Sequence, residues 1–116
     1  MAEEFEIYRL LAQARPAGTA AVSGYAKPTK QLITITHIVI CNTTALSANC
    51  SLFFDSDGTT YDQTTALVYA QPIGANGTTI FDITFTMEVD GGNIGIQTGT
   101  GSALTFNIFG KVKNIT

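Results

Sequence analysis

Apolar and polar residues alternate along most of this chain, and no stretch keeps a helical repeat for three turns. From Ala48 to Asp55 the even positions Ala48, Cys50, Leu52 and Phe54 are apolar, while Asn49, Ser51 and Asp55 take the opposite face. Thr79 to Met87 repeats the pattern on odd positions, with Phe81, Ile83, Phe85 and Met87 on the inner side. Ala103 to Val112 sets Leu104, Phe106 and Ile108 against Thr105, Asn107 and Lys111, and Asn93 to Thr98 is a shorter run of the same kind. Such runs predict antiparallel strands with one face buried. Gln31 to Cys41 changes phase: Ile33 and Ile35 share one parity, Ile38 and Ile40 the other. A bulge is therefore expected near His37. Thr19 to Ala26 and Thr65 to Gln71 read as weaker strands.

Turn signals separate these runs, at Asp57-Gly58, Asn76-Gly77 and Asp90-Gly91-Gly92-Asn93. Many short strands punctuated in this way predict an all-β chain, an antiparallel β-sandwich of seven or eight strands. The count turns on the opening segment. Phe5, Ile7, Leu10, Leu11 and Ala14 suit a short amphipathic helix or an edge strand, and the segment ends at the breaker cluster Arg15-Pro16-Ala17-Gly18. Residues 1–18 are read as an N-terminal arm and residues 19–116 as the sandwich domain.

Only 13% of the 116 residues are charged, where about 25% is usual, and Thr, Gly, Asn, Ser and Gln fill the polar positions. A surface so poor in charge suits a protein packed against neighbours. The net charge of −3 excludes general electrostatic binding of nucleic acid, which needs clustered Lys and Arg. No apolar run is long enough to span a membrane, and the acidic start Met1-Ala2-Glu3-Glu4 is unlike a secretory signal, so synthesis in a cytoplasm is expected.

Nothing in the chain calls for an active site. His37 is the single histidine and has neither a nucleophile motif nor a second histidine to share a metal. Cys41 and Cys50 are expected as free thiols. Asp55-Ser56-Asp57-Gly58 resembles the opening of a calcium loop, but its Gly stands at position 4 instead of 6, so a polar hairpin loop is the better reading. No catalytic residue, cofactor or metal ligand is expected.

Several segments, taken in order, carry a resemblance. They are Leu11-Ala12-Gln13-Ala14-Arg15-Pro16-Ala17, the strand end Val39-Ile40-Cys41-Asn42, Ile73-Gly74-Ala75-Asn76-Gly77-Thr78 and the closing Phe106-Asn107-Ile108-Phe109-Gly110. This series resembles small virion structural proteins of tailed bacteriophages. The resemblance implies a jelly-roll-like sandwich that decorates the head as a cement protein, made in the host bacterial cytoplasm and placed on the outer head surface. It also implies the major capsid protein and further copies of the chain, as a homotrimer, as partners, with no nucleic acid and no membrane. A tail, fibre or baseplate component of the same fold is the alternative, and a carbohydrate- or ligand-binding module a second. Phe5, Ile7, Tyr8, Arg9, Leu10, Leu11 and Arg15 are the candidate shell or subunit contacts.

Overall fold

The computed structural model describes residues 6–115, and its strands fall into two antiparallel sheets packed face to face. Among the described residues these are β1 (Glu6–Ala14), β2 (Val22–Ala26), β3 (Gln31–Asn42), β4 (Ala48–Asp55), β5 (Ala66–Ile73), β6 (Thr78–Phe81), β7 (Phe85–Met87), β8 (Asn93–Thr98) and β9 (Leu104–Asn114). Sheet I has the order β1-β9-β3-β6, with β7 also on β3; sheet II has the order β2-β8-β4-β5. Because β6 and β7 lie along the same edge of β3, they act as one interrupted strand. Each sheet then holds four strands, and the chain crosses between sheets at every connection but β4 to β5. This is jelly-roll connectivity.

The expected alternation places the core. Along β9, Leu104, Phe106, Ile108 and Val112 are buried between the sheets while Thr105, Asn107, Phe109 and Lys111 are only half-buried. Ile33, Ile35, Ile38 and Ile40 of β3 face Leu52, Ile94 and Ile96 of sheet II across that core. The phase change in β3 is real. Its register with β9 shifts between Ile35 and His37, so Thr36 is an extra residue that brings both isoleucine pairs inward.

That bulge explains a difference from the sequence expectation. Thr79 to Met87 is not one strand: β6 pairs with Ile38–Cys41 of β3, β7 pairs with Ile33–Ile35, and the ladder lapses opposite Thr36 and His37. The inward parity survives the break, since Phe81, Ile83 and Phe85 all pack on the core. The opening segment resolves as the strand alternative, paired with β9 from Glu6 to Ala14.

Candidate interaction surface

Sheet I turns its outer face away from the core, and cross-strand registry decides which side chains share it. Leu10 of β1, Phe109 of β9 and His37 of β3 stand in one row across the sheet. Tyr8, Lys111, Thr34 and Thr86 form the row on one side, and Gln13, Asn107, Val39 and Ile80 the row on the other. Three of these apolar residues are strongly solvated: Tyr8 at 69% exposure, Ile80 at 60% and Leu10 at 42%.

The centre of the face is ordered by ring contacts. His37 stacks on Phe109 with centroids 4.7 Å apart and planes 12° from parallel. Its Nδ1 lies 3.1 Å from the Thr36 hydroxyl, and that hydroxyl also donates to the Phe109 carbonyl at 3.3 Å. The Lys111 ammonium sits 5.2 Å from the centre of the Tyr8 ring, within cation–π range. A shallow cavity of about 230 Å³ lies among Tyr8, Leu10, His37 and Phe109. The face thus presents aromatic and aliphatic groups with a cation at their margin. At one side it ends on β1, an edge strand whose neighbour in the sheet is β9 alone.

The sequence-derived contact residues divide on this scaffold. Tyr8 and Leu10 belong to the exposed face, and Ile7 is exposed at the edge. Leu11 is the extra residue of a bulge in β1, between Leu10 and Ala12, and it packs against the core. Arg9 lies near Tyr25, whose hydroxyl is raised above its usual pKa by burial and pulled back by the Arg9 charge. Arg15 is engaged within the chain, donating to the Ser102 carbonyl and, at 3.0 Å, to the Thr43 hydroxyl. Phe5 lies outside the described residues.

His37, Phe109, Val39 and Ile80 were not singled out as contacts in the sequence. Their outward parity was readable, but the bulge at Thr36 had to be located before His37 fell in line with Phe109. The thiols are both free, with Cys50 in the core and Cys41 half-buried beside Thr78 and Thr105 in the registry of sheet I. Asp55 serves its own loop, accepting from the backbone N–H of Thr60 at 2.8 Å and of Asp57 at 3.3 Å, which holds its carboxyl below the usual pKa. Among the described residues no group of three His, Cys, Asp or Glu side chains is placed to hold a metal ion. Among the described residues no helix is long and apolar enough to cross a membrane.

No family model matches the chain, and no curated protein matches it. Solved structures give partial likenesses. The nucleoplasmin-like N-terminal domain of Drosophila FKBP39 is 16% identical with a TM-score of 0.46, over 100% of this chain and 93% of that one. A chain of the Bacillus endospore appendages, which are disulfide-linked pili, is 18% identical with a TM-score of 0.48, over 98% and 88%. The tobacco streak virus coat protein is 7% identical with a TM-score of 0.44, over 97% and 84%. Likenesses at this level assign no function.

Proposed function

We propose that this protein is a structural subunit of a tailed-bacteriophage virion, a decoration protein that binds the assembled head shell and stabilises it. The outer face of sheet I carries the reading: an uncovered strip of Tyr8, Leu10, Phe109, Val39 and Ile80 with the Lys111 cation at its margin, on a rigid β scaffold. An exposed apolar strip of this kind marks a contact surface. Its neutral surroundings let a partner pack on it without desolvating many charges. The edge of β1 offers a second means of attachment, the addition of a strand from the shell. The major capsid protein is the partner in this reading, and a homotrimer is the self-assembly that matches threefold positions of a shell.

The face is tested with a double variant, Tyr8→Ser with Leu10→Asn. Both side chains are solvated, so the melting temperature is expected to move little while sedimentation with undecorated capsids is lost. Labelling of Cys41 on free and capsid-bound protein gives a second readout, with slower labelling in the bound state expected. If the double variant saturates capsids as the parent does, the sheet I face is not the attachment surface.

A further inference from the structure

The opposite side of the sandwich carries a groove of different chemistry. On the outer face of sheet II, cavities of about 490 and 280 Å³ adjoin, sharing Tyr69 and Gln97 as walls. Phe53 underlies the larger one. It points away from the core cluster yet is only 1% exposed, because the loop after β4 folds back and lays Tyr61 over the sheet. Tyr61 packs so closely on Gly95 that a Cβ there would sit 2.4 Å from its ring. The Tyr61 hydroxyl is buried and has no hydrogen-bond partner among the described residues, a polar atom left unsatisfied at the groove wall.

The remaining walls combine one open aromatic ring with planar polar groups. Tyr69 is 56% exposed. Gln97 spends its amide N–H on the Thr19 carbonyl at 3.1 Å, which fixes the side chain. Asp62 accepts from the Thr64 hydroxyl and, at 2.9 Å, from the Thr64 backbone N–H, and these bonds keep its carboxyl below the usual pKa. Gln63 and Asn49 add amides that both donate and accept. Among the described residues no Lys or Arg lines either cavity.

We infer that this groove binds a neutral oligosaccharide. A pyranose presents an apolar C–H face that lies on an aromatic ring and a rim of hydroxyls that pair with amides and carboxylates. Tyr69 supplies the ring; Gln97, Gln63, Asn49 and Asp62 supply the rim. The lack of a cation and the presence of a carboxylate exclude phosphorylated and other polyanionic ligands. Two adjoining cavities suit several linked sugars better than one. The site stands on the face opposite the proposed shell contact, so it is independent of that reading, and on a decorated head it faces outward.

Fluorescently labelled full-length protein is tested on an array of neutral and anionic glycans, and hits are titrated as free maltohexaose-, cellohexaose- and chitohexaose-type oligosaccharides. Binding to at least one neutral oligosaccharide is expected. Tyr69→Ala is expected to weaken it about tenfold, the loss of roughly one stacking contact, at an unchanged melting temperature. Backbone amide shifts on titration are expected at Gln97, Asn49 and Gln63, whereas Tyr8→Ser on the other face leaves the affinity unchanged. Absence of neutral-glycan binding, binding confined to anionic glycans, or full affinity in Tyr69→Ala each overturns the inference.

Discussion

Single residues hold the ends of this sandwich together, and Asn42 is the clearest case. It is 1% exposed, and its Nδ2 donates to the Leu46 carbonyl at 2.8 Å and the Ile73 carbonyl at 3.0 Å. Its Oδ1 accepts from the Thr44 backbone N–H and hydroxyl, so one side chain satisfies four groups in two turns. Asn42→Ala removes all four bonds from a buried site, the Leu46 carbonyl keeping the Thr44 hydroxyl at 3.0 Å, and is expected to cost about 2–4 kcal/mol in urea unfolding. Asn42→Asp is expected to be at least as damaging at neutral pH, since a carboxylate cannot donate. Cys50 is read by pH. Burial pushes its thiol up to about 11 from an ordinary value of 9.0. The fold therefore keeps this contribution below pH 9.0 and loses it as pH rises toward 11, because the unfolded thiol ionises first. Cys50→Ala is expected to flatten that alkaline fall in stability. In the parent, thiol reagents are expected to modify Cys41 in the folded state and Cys50 only on unfolding.

At the scale of elements, the bulges decide what the sequence discloses. The alternation in β9 is uninterrupted from Leu104 to Val112, and its inner and outer faces were legible residue by residue. Gly110 is what permits the neighbouring irregularities. A Cβ there would sit 2.3 Å from the Thr34 carbonyl oxygen and 2.9 Å from the Leu11 side chain, so β3 and β1 both close on bare backbone. Gly110→Ala is expected to destabilise by about 1–3 kcal/mol or more, and to shift the amide resonances of Thr34, Ile35 and Leu11. The break between β6 and β7 was not legible, because it follows from a bulge in a strand more than forty residues earlier in the chain. The same holds for the covering of Phe53 by Tyr61, a contact between a strand and the loop after it that period-two reading does not encode. The segments that carry the sequence resemblance lie at joints of the fold. Gln13 donates to Asn107, Asn107 donates to the Val39 carbonyl at 3.1 Å, and Asn76, at a φ of 53°, donates its backbone N–H to the Thr44 carbonyl.

Over the whole molecule, 53 × 25 × 21 Å in extent, charge is sorted by end. The loops joining β1 to β2, β3 to β4, β5 to β6 and β8 to β9 contain one charged residue, Arg15, which is engaged within the chain. Asp55, Asp57, Asp90, Lys27 and Lys113 gather toward the other end, where the Lys27 ammonium is buried and meets Asp90 at 2.6 Å. The sequence placed positive charge toward its termini. The antiparallel pairing of β1 with β9 turns that linear pattern into a spatial one, with Lys111 beside Tyr8 in the apolar strip of sheet I. The low overall charge thus leaves the outer face of sheet I with few charges to desolvate, and adhesion through that face is the proposed role. Gold-labelled antibody against the protein, imaged on intact virions by electron cryomicroscopy, tests it most directly. Label distributed over the whole head at many equivalent positions is expected, and label confined to the tail, or absent from the particle, would contradict adhesion to the shell.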